Sequence, residues 1–358
     1  MLCLSLVACA STPKDTAADT TPADTAADTA KDDAADTTED TSDTTEPATE
    51  GGKNIVWAGW SGEEEATKDI FGRMMKAYED ASGNTVTWVG WTWADTAQQL
   101  LIRTQGGEQL DLAQADIGIF NTIAAAGVLA DWNEILGEDY LKENFEQSAL
   151  DVGNIDGKQL GLPWSMASIT MVYNPEILAA AGWDTGRGEA RQMFAQGQVA
   201  FYDDAVVAKG QAVNNGVAPE DVVKVCSAMS RPVLNAGDQP QSTMWGHMLV
   251  TFQNSEYQQE AAELAKTLVS DEVAMDYFEN NGMPPVTKSM AAKDEVKNDA
   301  YLNGFLQATA TARLEETARM ANASEIKTII TEELQYALLG QKTAEQAVTD
   351  MAARINAL

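Results

Sequence analysis

The stretch that decides the fold class is residues 54–91, which read NIVWAGWSGEEEATKDIFGRMMKAYEDASGNTVTWVGW. Its two ends, Asn54–Ala58 and Thr85–Trp91, are short apolar runs that predict β-strands. The segment between them, Glu63–Asp80, predicts an α-helix because its apolar residues recur at the spacing of one helix face. These residues are Ile70, Phe71, Met74 and Tyr78. A strand, a helix and a second strand in succession are typical of α/β proteins.

The same alternation of strands and helices continues along the chain. Further strands are predicted at Leu110–Gln114, Ala149–Ile155, Lys158–Leu162, Ser168–Tyr173, Val199–Tyr202, Val222–Ser227 and Trp245–Phe252. Further helices are predicted from Asp95 to about Thr104 and at Thr122–Ala126, Pro175–Ala181, Glu189–Gln196, Ala205–Val213, Glu256–Ser270, Asp271–Asn280, Ser324–Leu339 and Ala344–Ile355. Asp156-Gly157 predicts a hairpin turn. The sequence therefore predicts the α/β class with largely parallel sheets.

Length, net charge and apolar runs limit the number of domains and the kinds of partner that the chain can have. The chain of 358 residues carries a formal charge of −32, of which −10 falls in residues 10–52 and −22 in residues 53–358. Such an acidic chain is a poor partner for nucleic acid and for anionic membrane surfaces. Residues 53–358 exceed the size of one compact core and suggest two lobes. No run of about 18 apolar residues is present, so the sequence predicts no membrane span.

The N-terminus has features of an export signal. Leu6-Val7-Ala8-Cys9 closes a short apolar run and resembles a bacterial lipobox, in which the cysteine is lipidated and becomes the mature N-terminus. This resemblance implies that residues 1–9 are a lipoprotein signal segment and that Cys9 anchors the chain to the cell membrane, with the folded part outside the cytoplasm. The apolar run is short and no Lys or Arg precedes it, so we expect the natural start to lie upstream of Met1.

Residues 10–52 form a tail rich in Asp, Thr, Ala and Glu, without hydrophobic periodicity. Such a segment cannot bury enough apolar surface to offset the entropy of the chain, and its charges repel one another. We therefore predict that residues 10–52 are a disordered, extended acidic linker between the anchor and the folded part.

Tryptophan placement is the best internal clue to a binding site. Five of the nine tryptophans fall between residues 57 and 93. Trp57 and Trp88 lie in the middle of predicted strands, where packing in the core is the favoured interpretation. Trp60 and Trp93 follow strand ends, where the ligands of α/β sheets gather, and for them ligand contact and packing are equally favoured. Because aromatic faces stack on sugar rings, these two residues are candidates for sugar binding.

Acidic side chains follow the same strand ends. Asp116 comes after the strand Leu110–Gln114, and Asp203-Asp204 comes after Val199–Tyr202. Each of these three is either a polar contact to a ligand or the N-cap of a helix. Glu63 belongs to an acidic triplet in the first turn of a predicted helix, where negative charge complements the helix dipole without any further function.

Signatures of enzymes, cofactors and metals are weak. His247 is the one histidine and lies in an apolar run, where a core or cleft histidine is a better interpretation than a catalytic base. Cys226 has no set of Cys or His neighbours that would form a metal site, and we predict that it is a small buried residue. No nucleotide-binding glycine motif occurs. We therefore expect no catalytic residue, no metal and no cofactor.

A series of short motifs in a fixed order carries a resemblance to one family. The motifs are Val56-Trp57-x-x-Trp60, Gln114-Ala115-Asp116, the run from Ala124 to Trp132, Gly161-Leu162-Pro163-Trp164, Val172-Tyr173-Asn174-Pro175, Phe194-x-x-Gly197-Gln198-Val199-Ala200, and Asn281-Gly282-x-Pro284-Pro285-Val286. Over most of residues 53–358 the chain resembles extracellular solute-binding proteins of ABC importers, in particular the sugar-binding type related to maltose-binding proteins.

The resemblance implies a two-lobe, periplasmic-binding-protein-like type II fold that closes on its solute by hinge motion. Residues 53–166 and 245–305 are expected to form lobe 1, and residues 167–244 and 306–358 to form lobe 2. Chain crossings between the lobes are expected near Trp164–Ser168, near Trp245–Val250 and within residues 300–316. The implied ligand-binding residues are Trp60, Ser61, Glu63, Trp93, Asp116, Trp164, Asp203, Asp204 and Trp245.

Two departures from the family pattern concern the second lobe. Val207 stands where the family often places a tryptophan of the cleft, which removes one stacking surface. After Gly182-Trp183-Asp184 the chain runs almost directly into Gly188–Gly197, where the family normally inserts several dozen residues. We therefore expect a shortened second lobe, with either a shallower cleft for a larger or looser ligand or impaired binding.

The leading interpretation is a lipid-anchored, monomeric solute-binding protein, without catalysis, that delivers a mono- or oligosaccharide to the permease subunits of an ABC importer. A polyamine or other small solute is an alternative ligand, which would suit an acidic cleft. Another alternative is a surface enzyme that acts on glycans through paired carboxylates such as Glu63 and Asp116. A third is a non-transporting adhesin or degenerate paralogue.

Overall fold

A seven-stranded sheet with helices packed around it organises the described part of the chain. The structure is a computed structural model that describes residues 52–173, 196–315 and 322–358, together with Phe194 and Met320. Its strands are β1 Asn54–Gly59, β2 Thr85–Gly90, β3 Leu112–Asp116, β4 Asn154–Ile155, β5 Lys158–Gln159, β6 Leu162–Tyr173, β7 Phe201–Asp204, β8 Ser227–Met229 and β9 Thr243–Thr251. Its helices are α1 Lys68–Ser82, α2 Trp93–Gln105, α3 Ile117–Ala125, α4 Trp132–Leu136, α5 Glu138–Asn144, α6 Gln147–Gly153, α7 Ala208–Asn214, α8 Val222–Val225, α9 Gln258–Leu268, α10 Asp271–Asn281, α11 Lys288–Ala291, α12 Asp294–Lys297, α13 Ala300–Ala308, α14 Ala323–Leu338 and α15 Ala344–Ile355.

The sheet mixes parallel and antiparallel pairs. Its strand order is β2-β1-β3-β9-β6-β7, with β8 also paired to β6. Strand β1 is parallel to both β2 and β3, whereas β9 lies antiparallel between β3 and β6. The expectation of a largely parallel sheet is therefore wrong for the strands after β3. The physical reason is that the chain leaves the first part of the sheet along β6 and returns along β9, so these two strands must run in opposite directions.

Strands β6 and β9 connect two groups of strands. Residues Leu162–Ile169 of β6 pair with β9, and residues 170–173 pair with β7 and β8. We call β1, β2 and β3 the first strand group, and β7 and β8 the second strand group. Two of the three expected chain crossings coincide in sequence with β6 and β9. The backbone of Arg313, within the third expected crossing, bonds to that of Ser242 and Met244 at the start of β9.

Helices α13 and α14 pack beside different groups of strands. Helix α13 packs on β8 of the second strand group, and its Tyr301 hydroxyl donates to the carbonyl of Val206 at 2.9 Å and lies 3.7 Å from the thiol of buried Cys226. Helix α14 packs beside α3, next to the first strand group. All described residues belong to one compact unit, Glu50–Leu358, and the division into two closing lobes stays a prediction.

Local sequence explains where several elements begin and end. The predicted hairpin turn is confirmed, because Asp156 and Gly157 both have positive φ between β4 and β5. Helix α1 starts at Lys68 rather than at Glu63, because Glu64 has an extended backbone after a 3₁₀ turn at Ser61–Glu63. The predicted strand Val222–Ser227 is wrong. Its first four residues form helix α8 and its last residue starts β8.

The core beside the first strand group is built from aromatic rings. Trp57 has no exposed surface, stacks on Phe71 with ring centroids 4.9 Å apart, and meets the edge of Trp88 at 5.0 Å. The packing role predicted for Trp57 and Trp88 is therefore confirmed. Cys226 is also buried, as predicted, and burial raises the pKa of its thiol to about 12.

Some predictions fall on parts of the chain outside the described residues. They are the lipidated Cys9, nearly all of the linker 10–52, the helix Pro175–Ala181, most of the helix Glu189–Gln196, and the shortened block after Asp184. Within the described residues, no helix combines the length and the apolar character that crossing a membrane requires.

Candidate functional site

The carboxyl ends of β1 and β3 bring the first candidate residues together. Ser61 follows the end of β1, and Gln114 lies near the end of β3 with no exposed surface. The Gln114 amide holds Ser61 in two ways: Oε1 accepts from the Ser61 backbone N–H at 3.1 Å, and Nε2 donates to Ser61 Oγ at 2.8 Å. A side chain on Gly59 would clash with Gln114 at 2.8 Å, which explains the glycine at this close approach.

His247 lies at the centre of the candidate residues. Gln114 Nε2 lies 3.2 Å from His247 Nδ1, and Asp116 is the register partner of His247 across β3 and β9. The imidazole is surrounded by three indole rings, with centroid distances of 4.4 Å to Trp245, 5.0 Å to Trp60 and 6.0 Å to Trp164. Burial lowers the pKa of His247 to about 3, so the ring is neutral at physiological pH. We call these four rings with Gln114 and Ser61 the imidazole cluster.

Asp116 links this cluster to an exposed tryptophan. Its Oδ1 accepts from the backbone N–H of Ile119 at 2.7 Å, which caps α3, and its Oδ2 accepts from Trp93 Nε1 at 2.7 Å. Burial raises the pKa of Asp116, although these hydrogen bonds and the charge of Lys327 oppose the shift. Trp93 starts α2 and keeps 49% of its surface exposed. The Trp93 ring is therefore half-exposed to solvent, and Asp116 orients it through the indole N–H.

The other predicted acidic residues do not join this cluster. Glu63 Oε1 accepts from Trp88 Nε1 at 2.9 Å. Asp203 is held by Arg231 through both carboxylate oxygens, with the shortest distance 2.7 Å. Asp204 is buried and its Oδ1 accepts from the N–H of Ala205. Asp203 and Asp204 pair with residues 171 and 170 of β6, and Thr170 is roughly 16 Å along that strand from Ser165, the partner of His247.

The structure thus gathers most but not all of the predicted site. It brings together Trp60, Ser61, Asp116, Trp164 and Trp245, with Trp93 at the edge. It places Trp60 and Trp164 almost wholly inside the core, each 4% exposed. The sequence interpretation missed Gln114 and His247 as members. The signal for them was polar character inside apolar strands, since a buried amide or imidazole needs hydrogen-bond partners.

A shallow cavity of about 200 Å³ lies beside β6 and α13. Apolar side chains dominate its lining, among them Met166, Val206, Met244, Pro284 and Phe305. None of the nine predicted ligand-binding residues lines it. Its chemistry therefore differs from that of the imidazole cluster.

The arrangement at the strand ends supports binding through indole faces and neutral hydrogen-bond donors. Two carboxylates near the strand ends are each engaged by an indole N–H, Asp116 by Trp93 and Glu63 by Trp88. Within the described residues, no three His, Cys, Asp or Glu side chains are grouped to hold a metal ion.

Comparisons with known proteins give the same class of fold. The solute-binding protein of an ABC transporter from Thermotoga lettingae, solved with α-D-tagatose, has a TM-score of 0.73 at 18% identity, over 85% of this chain and 99% of that chain. The GacH receptor of Streptomyces glaucescens, solved unliganded and with acarbose, has a TM-score of 0.72 at 14% identity, over 85% of this chain and 97% of that chain. The maltose/maltodextrin-binding domain MalE of Bdellovibrio bacteriovorus, solved with maltotriose, has a TM-score of 0.72 at 13% identity, over 85% of this chain and 100% of that chain.

Sequence comparison assigns the family. No curated protein sequence matches this chain. In contrast, residues 73–188 and 181–303 match the sequence model of a family described as bacterial extracellular solute-binding protein. These two segments cover more than half of the chain and include β3, β6, β9 and His247. The fold class predicted from the motifs is confirmed, and the chain belongs to the bacterial extracellular solute-binding proteins, with a MalE-like periplasmic-binding fold.

Proposed function

We propose that this chain captures a sugar or oligosaccharide at the carboxyl ends of β1, β2 and β3 and delivers it to the permease of an ABC importer, without catalysis of its own. The observation that carries the proposal is Trp93, a half-exposed indole that buried Asp116 holds by its N–H. The chain would close on the ligand by bending β6 and β9, the two strands that join the strand groups.

The chemistry of the site suits a carbohydrate. An indole face is a flat, weakly polar surface that packs on the C–H groups of a sugar ring, and a fixed ring loses little freedom when it binds. The three solved relatives described above carry or were studied with carbohydrate ligands, which supports this ligand class.

The alternative of a glycan-active enzyme is less well supported. A glycosidase needs two carboxyl groups that are free to act on the scissile bond. Here Asp116 uses both oxygens, one to cap α3 and one to hold Trp93, and Glu63 accepts from Trp88. The family to which the chain belongs consists of solute-binding proteins, which is the simpler explanation.

Trp93→Ala should weaken the binding of a cognate sugar by about 5- to 150-fold, since it removes a stacking surface worth roughly 1–3 kcal/mol of buried apolar contact. Trp93→Phe keeps a ring but loses the N–H that Asp116 orients, and an intermediate loss is expected. Titration calorimetry with the same sugar measures both. Tyr336→Ala, which removes an exposed ring on α14, is the control and should bind as the unchanged chain does. Unchanged affinity in Trp93→Ala would contradict this site.

We further propose that the chain is a monomer held at the outer face of the cell membrane by a lipid on Cys9, with residues 10–52 as its linker. The proposal rests on the lipobox-like run Leu6-Val7-Ala8-Cys9 and on the extracellular location that the family implies. Cys9→Ser should move the chain from the membrane fraction to the soluble fraction and remove the lipid mass from its N-terminal peptide. A Cys226→Ser control should stay in the membrane fraction. Equal partitioning of Cys9→Ser and the unchanged chain would contradict the anchor.

A further inference from the structure

His247, the one histidine of the chain, has a buried ring nitrogen that forms no hydrogen bond with any described residue. His247 lies on β9, is 2% exposed, and sits among the rings of Trp60, Trp164 and Trp245. Its Nδ1 meets Gln114 Nε2, whereas its Nε2 has no hydrogen-bond partner among the described residues. Buried polar atoms of this kind are rare and call for an explanation.

The neighbours of Gln114 fix which nitrogen of His247 carries the proton. Gln114 Oε1 lies 3.1 Å from the backbone N–H of Ser61 and 3.4 Å from that of Trp60, so this atom must be the acceptor end of the amide. Gln114 Nε2 therefore donates, both to Ser61 Oγ and to His247 Nδ1. Since Nδ1 accepts, a neutral imidazole carries its hydrogen on Nε2. The unused atom is thus an N–H donor.

Trp245 is the ring that can uncover this donor. It lies two residues before His247 on β9, so the two side chains share one face of the strand. Trp60 and Trp164 are each 4% exposed and belong to the core, whereas Trp245 is partly exposed. A shift of the Trp245 side chain would open a path to Nε2 while the other two rings stay packed.

The Nε2–H donor of His247 and the nearby carboxylate of Asp116 restrict the kind of ligand atom that can bind beside them. A protonated amine carries only donors and cannot accept from an N–H group. A carboxylate or phosphate could accept, but it would approach Asp116, whose backbone pairs with that of His247. The remaining class is an uncharged oxygen, such as a hydroxyl or ring oxygen.

We propose that His247 is a specificity-determining residue, whose Nε2–H donates to an uncharged oxygen of the bound ligand after Trp245 moves aside, and that this donor selects polyhydroxylated ligands over polyamines. This inference rests on the proposed sugar-binding function and adds the atom, Nε2 of His247, that would distinguish one ligand class from another. It makes Gln114 a positioning residue, because its amide sets the tautomer of His247.

Nuclear magnetic resonance of the full chain tests the inference. Because His247 is the sole histidine, ¹⁵N-histidine labelling of tag-free protein gives signals from this ring alone. The free chain should show the Nε2–H tautomer at pH 7. Whichever of maltotriose, acarbose and tagatose binds by calorimetry should shift the Nε2 signal, and spermidine should not. An Nδ1–H tautomer, an Nε2 signal unchanged by a bound sugar, or tight spermidine binding would overturn the inference.

Matched variants separate this inference from the proposed function. His247→Phe fills similar space without a donor and should bind the sugar at least tenfold more weakly, whereas His247→Gln restores an amide donor and should stay within a few-fold of the unchanged chain. Equal binding by His247→Phe and the unchanged chain overturns the role of His247 alone. Absence of sugar binding by the unchanged chain overturns the proposed function and this inference together. If His247→Phe does not fold, the sugar-induced shift of the Nε2 signal in the unchanged chain decides whether His247 contacts the ligand.

Discussion

Trp164→Ala is expected to lower the free energy of unfolding by about 3–5 kcal/mol, the range for removing a large buried aromatic side chain. Trp164 is 4% exposed, and its ring lies 5.8 Å from Trp57, 5.7 Å from Phe71 and 5.5 Å from Tyr277, measured between centroids. Its removal leaves a cavity at the point where β6 meets the aromatic core. Chemical denaturation followed by circular dichroism measures the loss.

Trp93→Ala is the matched control for this stability measurement. The Trp93 ring is half-exposed, but its N–H donates to buried Asp116, so its removal should lower the free energy of unfolding by about 1–2 kcal/mol, less than the loss for Trp164→Ala. The pair therefore separates a core tryptophan from a surface one. A change below about 1 kcal/mol in Trp164→Ala, or equal changes in both variants, would show that Trp164 is not the core residue described here. It also follows that weaker ligand binding by Trp164→Ala would report lost stability as much as a lost contact.

The free energy of unfolding should fall as the pH is lowered from about 6.5 to 4, and His247 should account for up to about 3 kcal/mol of the fall. In the folded chain, burial holds the pKa of His247 near 3, whereas in the unfolded chain the pKa returns to its ordinary value of 6.5. Between these two values the unfolded chain binds a proton that the folded chain does not. The contribution of neutral His247 is therefore fully present above pH 6.5 and is lost progressively as the pH falls towards 3.

His247→Gln isolates this contribution from the carboxylates. Other groups also titrate in acid: salt bridges lower the pKa of Glu138 and Glu260, while burial raises that of Asp116. These groups are common to both proteins, so the difference in pH dependence between them belongs to His247. Denaturant unfolding at several pH values should give a shallower slope for His247→Gln. Parallel curves would show that His247 titrates normally in the folded chain.

Much of the fold could be predicted because local patterns agree with tertiary packing. Helices α1, α10, α14 and α15 have apolar residues at helical spacing, and their observed bounds lie within about five residues of the predicted ones. The direction of β9 could not be predicted, since it depends on which strands β9 pairs with, and a buried apolar run does not specify its partners. The segment Val222–Ser227 was mistaken for a strand because its β-branched residues favour strands, while packing of α13 over Cys226 decides otherwise.

Candidate residues at the ends of strands could be predicted from the sequence. Residues that come together only through the register between two strands could not. Trp60 directly follows β1 and Asp116 ends β3, so the rule for ligands of α/β sheets made both of them candidates, whereas Ser61 was a candidate only through the family resemblance. His247 meets Gln114 only because β9 pairs with β3 in one particular register. Asp203 was predicted to contact the ligand, and the sequence gives no sign of its pairing with Arg231, 28 residues later.

Titration calorimetry of the purified chain tests most directly whether the residues at the strand ends bind an uncharged carbohydrate. Mono- and oligosaccharides are titrated, with spermidine and a short peptide mixture in parallel. We predict measurable heat and saturable binding with at least one sugar, accompanied by a rise in melting temperature, because a ligand that binds the native state stabilises it. Binding of spermidine or peptides with no heat from any sugar would contradict the claim.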